Sequence, residues 1–270
     1  MELTGKRILL TGAAGGLGEA AANALAARGA TLLLSSRNEA KLQQLASDLP
    51  GRGHEVLAID LTRPDAAEEL VARAGTVDVL IANAGQPGGA ALVDLASEDL
   101  SSVIKVNLEQ PIQLARLLIP QMRERGSGQM VFVASLAGKF ALPESTLYSA
   151  TKFGLRGFAW ALRPELARHG VGVTLITPGF ISEVGMFAKR GRKPPPGAGT
   201  RTPEQYAKAL VAAIESNKDE VVVAPPMLRA LGQFSLLAPG LVAKVLRRAR
   251  PSRTPSDAPE APSSPADPSS

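Results

Sequence analysis

The chain has 270 residues, 45% of them hydrophobic, a formal net charge of +5, two histidines and no cysteine. That length and apolar content suit one sizeable α/β core. The lack of cysteine excludes disulfides, thiolate metal sites and cysteine nucleophiles, and His54 and His169, read as surface residues, give no expected metal site or triad.

Met1 to Lys6 leads into the first apolar run with no signal peptide ahead of it, so a cytoplasmic location is expected. Strands are predicted near 7–11, 31–35, 55–59, 78–82, 129–134, 171–177 and 220–224. Helices are predicted near 16–28, 38–48, 65–74, 97–124, 147–168 and 203–216. Alternation of this kind predicts a parallel sheet with helices on both faces. The first strand runs into Thr11-Gly12-Ala13-Ala14-Gly15-Gly16-Leu17-Gly18 and an alanine-rich helix. Strand, glycine loop and helix together form a phosphate cradle: glycine lets the backbone approach a pyrophosphate, and the helix N-terminus supplies amide donors. The spacing is Gly-x-x-x-Gly-x-Gly rather than Gly-x-Gly-x-x-Gly. After the second strand stands Ser36-Arg37, where an acidic residue would bind a ribose 2′-hydroxyl and an arginine accommodates a 2′-phosphate. Arg37 therefore favours NADP(H) over NAD(H).

Tyr148 and Lys152 lie four residues apart on a predicted helix, with Ser135 thirteen residues before Tyr148. Positions i and i+4 share a helix face. A free tyrosine has a pKa of about 10, and a lysine charge beside it is expected to lower that value. Such a tyrosine could pass a proton to or from an alcohol or carbonyl oxygen that Ser135 holds by hydrogen bond.

With these motifs in hand, the chain resembles the single-domain short-chain dehydrogenase/reductase family. Further segments carry the resemblance: Asp60-Leu61 after the third strand, Asn83-Ala84-Gly85 after the fourth, Asn107 in the next helix and Pro178-Gly179 after the sixth strand. It covers about residues 3–225. The resemblance implies a doubly wound, three-layer α/β/α sheet of Rossmann type, with strand order 3-2-1-4-5-6-7 and the cofactor across the carboxyl ends of the strands. It implies Tyr148 as proton donor in reduction and base in oxidation, Lys152 on the nicotinamide ribose, Ser135 on the substrate carbonyl, and Asn107 holding a water that links Lys152 to solvent. The implied cofactor contacts are Gly12, Ala14, Gly15, Gly16, Leu17, Gly18, Arg37, Asp60, Leu61, Asn83, Ala84, Gly85, Tyr148, Lys152, Pro178, Gly179, Ile181 and Ser182. Ser182 would stand in for a family threonine on the nicotinamide carboxamide. Helices 97–124 and 147–168 are where the family forms its dimer interface, so a homodimer or homotetramer is expected.

The catalytic domain is expected over residues 1–225, with a lid at about 180–202. Leu136, Phe140, Leu142, Phe180, Met186 and Phe187 form a mainly apolar lining, which points to a hydrophobic ketone, aldehyde or secondary alcohol, or else simply packs beneath the lid. Lys189, Arg190, Arg192 and Lys193 form a basic cluster on the lid that could meet an acidic carrier or a phosphate; Lys244, Arg247, Arg248, Arg250 and Arg253 form another. No nucleic-acid module accompanies either, and no nucleic-acid partner is expected. Residues 226–250 are apolar but interrupted by Arg229, Pro239-Gly240 and Lys244, which argues against a spanning helix. The segment is read as a cap on the pocket or a subunit contact, with contact to an anionic membrane surface through 227–250 as the lesser reading. Residues 251–270 read as a disordered tail. Two other functions share the motifs: a dinucleotide-binding regulator without turnover, and a dehydratase or epimerase on the same fold.

Overall fold

The computed structural model describes residues 1–88, 91–141, 145–184 and 198–248, with the side chains of 245–248 left aside. Most of the predicted lid, including Met186, Phe187 and the Lys189–Lys193 cluster, lies outside the described residues, as do Leu142 and the tail from 251.

Seven strands form one parallel sheet in the order β3-β2-β1-β4-β5-β6-β7, as expected. They are β1 (Arg7–Thr11), β2 (Thr31–Ser36), β3 (Glu55–Ala58), β4 (Val79–Ala82), β5 (Gly128–Val133), β6 (Val171–Pro178) and β7 (Glu220–Val223). The helices are α1 (Gly16–Ala26), α2 (Glu39–Asp48), α3 (Ala66–Ala74), α4 (Ser97–Ile104), α5 (Gln110–Glu124), α6 (Thr146–Ala167), α7 (Pro203–Glu215), α8 (Pro226–Leu237) and α9 (Pro239–Arg248). Alternate strand residues feed two separate cores. Leu9, Leu33, Leu80, Phe132 and Leu175 pack with α3, α5 and α6. Ile8, Leu10, Leu32, Leu34, Ile81 and Val131 pack with α1, α2 and α7. The central strands are thus buried on both faces, which is why they read as unbroken apolar runs. No described helix is long and apolar enough to cross a membrane.

One feature differs from the sequence-based reading. The single helix predicted over 97–124 is divided by a π-helical turn, Lys105–Glu109, in which the Gln110 N–H bonds the Lys105 carbonyl five residues back. Pro111 follows and has no N–H to donate to Asn107, so the four-residue ladder is not restored there. The segment after β7 forms two helices, the second opening at Pro239, where the sequence pattern is interrupted. Leu228 of α8 and Val242 of α9 pack with Leu136, Phe140, Ala198 and Ala224 in a third, smaller core.

His54 has a structural role that its surface reading did not include. Its Nδ1 accepts from the Leu32 N–H at 3.1 Å, and its Nε2 lies 3.0 Å from the Pro50 carbonyl. The carbonyl can only accept, so the proton sits on Nε2.

Candidate active site

The carboxyl ends of β1 and β4 are clasped by Thr11 and Asn83. The Thr11 hydroxyl accepts from the backbone N–H groups of Asn83 and Ala84 at 3.1 and 3.0 Å. The Asn83 amide donates back to the carbonyls of Thr11 and Gly12 at 2.9 and 3.2 Å. This clasp sets the start of the glycine loop. Gly12 has φ of +67°, and a Cβ there would lie 2.8 Å from the Ala84 Cα. A Cβ on Gly18 would lie 2.2 Å from the Gly12 carbonyl oxygen, so the loop closes against α1 only with glycine at that position. The N-terminus of α1 consequently faces a cavity of about 580 Å³.

The cavity runs across the strand ends from Arg37 to Phe140. Gly12, Ala14 through Gly18, Arg37, Asp60, Leu61, Asn83 through Gly85, Pro178, Gly179 and Ile181 all line it, as do Ser135, Tyr148 and Lys152. Of the predicted substrate residues within the described chain, Leu136, Phe140 and Phe180 line its far end. Leu136 and Phe140 also belong to the small core that includes Leu228 of α8 and Val242 of α9.

Ser182 is not brought to the cavity. Its backbone N–H and its hydroxyl both turn to the Arg201 carbonyl, at 2.9 and 3.4 Å, where Ile181 pairs with Arg201. Ile181 and Val184 line the cavity on either side of it. Glu183, at φ of +65°, makes the reversal between them, and Val184 lands close on Gly16. Asn107 is fully buried and does not line the cavity. Its Oδ1 accepts from the Gln86 N–H at 2.7 Å, and its Nδ2 donates to the Gln86 carbonyl at 2.9 Å and lies 3.4 Å from the Thr151 hydroxyl. These contacts join Asn107 to the backbone after β4 and to α6. Lys41 and Asn38 join Arg37 at one end of the cavity and were not singled out in the sequence. Lys41 lies in the first turn of α2, and its backbone N–H donates to the Asn38 side chain that caps the helix. Val184 carried no local signal, because only the folded loop brings it to Gly16.

Ser135 opens a short turn, Leu136–Gly138, and its hydroxyl accepts from the Ala137 N–H at 3.2 Å. A Cβ on Gly138 would lie 2.6 Å from the Lys152 carbonyl oxygen, so this turn rests directly on α6. Tyr148 and Lys152 occupy the first turns of α6. Lys152 donates from Nζ to the Val133 carbonyl, the last residue of β5, at 2.8 Å, and Nζ stands 5.7 Å from the Tyr148 ring centre. Burial pushes the Tyr148 phenol up to about 12, and its hydrogen bond with Ser135 draws it partly back. Burial pushes the Lys152 ammonium down to about 8. The expected lowering of the Tyr148 pKa by Lys152 is therefore not what the protein's own groups produce. Desolvation is the larger cause and Ser135 the one that opposes it, while the ammonium is directed at the Val133 backbone carbonyl.

Behind the turn that carries Ser135 lies a buried charge cluster. Lys139 has a fully buried side chain, and its Nζ stands 2.8 Å from Glu220 at the start of β7. Glu220 also accepts from the Thr177 hydroxyl at 3.0 Å, and its other oxygen lies 3.7 Å from Arg156 of α6. The Ser235 hydroxyl of α8 donates to the Lys139 carbonyl at 2.7 Å. The turn carrying Ser135 is thereby tied to β6, β7, α6 and α8. Glu220→Gln leaves Lys139 charged and buried without its counter-ion, and is expected to cost about 3–5 kcal/mol of stability. Lys139→Met combined with Glu220→Gln should recover most of that loss, as read from urea unfolding midpoints.

The family model described as short chain dehydrogenase matches residues 6–195. A ketoacyl reductase from Nostoc sp., HetN, is 39% identical over 227 residues, covering 82% of this chain and 79% of that protein. Dehydrogenase/reductase SDR family member 7B from Bos taurus is 35% identical over 266 residues, covering 91% of this chain and 82% of its own length. Among solved structures, a metagenomic short-chain oxidoreductase in complex with NADP superposes with a TM-score of 0.69 at 30% identity, covering 83% of this chain and 99% of that one.

Proposed function

Since the chain belongs to the short-chain dehydrogenase/reductase family and is an oxidoreductase of alcohol and carbonyl groups, we propose that it uses NADP(H) to reduce the carbonyl of an apolar ketone or aldehyde, or to oxidise the matching secondary alcohol. The observation that supports this best is one cavity lined by the glycine loop and Arg37 at one end, by Ser135, Tyr148 and Lys152 between, and by Leu136, Phe140 and Phe180 at the other. The glycine positions fit a dinucleotide, because side chains at Gly12, Gly16 or Gly18 would fill or distort the cradle. When bound, the nicotinamide supplies or accepts the hydride. The protein's residues do the rest. The Gly12–Gly18 backbone and the start of α1 hold the pyrophosphate, and Arg37 with Lys41 holds a ribose 2′-phosphate. Ser135 orients the carbonyl oxygen, and Tyr148 donates the proton to it. The Lys152 charge favours the phenolate that remains. Asn107 keeps the chain after β4 against α6, so its part is positioning. Residues 1–225 form the catalytic domain in this reading, with 180–202 as its lid.

Homodimerisation through the α4–α6 surface belongs to the same proposal. It is supported by Ile104, Phe153 and Trp160, which are 38%, 40% and 45% exposed. The name of the Nostoc relative makes a ketoacyl compound the natural member of a test panel of apolar ketones and aldehydes.

In that panel, Tyr148→Phe should abolish NADPH oxidation, by at least about a hundredfold, while leaving NADPH binding measurable by fluorescence titration. Full turnover by Tyr148→Phe would contradict the assigned role. Arg37→Ala should weaken NADPH binding by about tenfold or more, the worth of a charge-assisted hydrogen bond, with little change for NADH. Equal losses for both nucleotides would remove the 2′-phosphate contact. Tyr148 stays protonated across neutral pH, while Lys152 loses its charge near a pKa of about 8. NADPH-dependent kcat/KM should therefore be level below that pH and fall above it; a profile that climbs through it contradicts the role given to Lys152.

A further inference from the structure

Helix α8 carries apolar residues on two faces. Leu228 and Leu231 point into the small core next to Leu136 and Phe140, and Ser235 is bonded to the Lys139 carbonyl on that same side. The adjoining outer side is also apolar. Met227, Phe234 and Leu237 are 57%, 46% and 86% exposed, and Leu241 of α9, the next helix, is 53% exposed. The spacing from Met227 to Phe234 to Leu237, in steps of seven and three, places these three along one stripe of α8. A helix whose apolar surface extends beyond its packed side needs a second environment for the exposed part.

Charge indicates which environment that is. Between Pro226 and Arg248 the chain carries Arg229, Lys244, Arg247 and Arg248 and no acidic residue. A second copy of the chain docked on the same stripe by a twofold axis would bring this uncompensated positive charge against itself. An anionic surface would neutralise it. We propose that α8 and α9 lie on an anionic lipid surface, with Phe234, Leu237 and Leu241 entering the headgroup boundary and the basic residues meeting lipid phosphates. The inner side of α8 packs against Leu136 and Phe140, which line the apolar end of the cavity, so the same helix pair would set that wall toward the membrane. This placement is independent of the chemistry at Tyr148.

The test is flotation of the full-length protein with phosphatidylcholine vesicles, with and without phosphatidylglycerol. Binding is expected only when phosphatidylglycerol is present, and should weaken as salt is raised. Neutralising Lys244, Arg247 or Arg248 to Gln should lower the partition coefficient about fivefold per charge. Leu237→Asp with Leu241→Asp should abolish binding while NADPH affinity is kept, which separates loss of the lipid contact from loss of the fold. Tyr148→Phe should bind vesicles as the parent does, so failure of the catalytic proposal would leave this one standing. Equal partitioning to both vesicle types, or none to either, overturns the proposal. So does a change of oligomeric state by light scattering on Leu237→Asp with Leu241→Asp when the parent does not bind lipid, since a second copy would then be the occupant.

Discussion

Lys152 donates to the Val133 carbonyl from a buried position, and this bond joins the first turns of α6 to the end of β5. The rest of the site depends on how closely those two elements approach. The turn after β5 rests on α6 with no room for a side chain at Gly138, and that contact brings Ser135 within hydrogen-bonding reach of Tyr148. The cost of the arrangement is electrostatic. Burial disfavours the charged lysine and the phenolate alike, and the hydrogen bond with Ser135 offsets only part of that on the phenol. Tyr148 thereby keeps its proton at neutral pH.

A second constraint acts from behind. Lys139 and Glu220 are buried together, and such a pair is held in place by the surrounding geometry more than it adds stability. Its partners come from β6, β7, α6 and α8, so the turn carrying Ser135 registers the position of elements far apart in sequence. Through Ser235 and Gly232, helix α8 becomes part of the support of that turn, and through Leu228 it packs behind Leu136 and Phe140.

Much of this architecture was legible in the chain. The strands buried on both faces showed as apolar runs, and each lies within one or two residues of its predicted bounds. The glycine loop, Arg37, Tyr148 and Lys152 announced themselves by spacing, because helix and turn geometry is local. The π turn at Lys105–Glu109 was hidden within a continuous helical pattern, although Pro111 marked the place where the ladder had to change. Ser182 was misplaced because its loop position depends on pairing with Arg201, nineteen residues away.

The sequence by itself determined the order of strands and helices, the phosphate loop and the helical face shared by Tyr148 and Lys152, since periodicity and glycine conformation act over a few residues. Only the tertiary structure decided that Asn107 serves the backbone of Gln86, that Lys139 is buried against Glu220, and that α8 is apolar toward the small core and toward the outside. It also decided the direction of the Tyr148 shift. Burial, hydrogen-bond partners and desolvation are properties of packed neighbours distant in sequence, and no local pattern along the chain encodes them.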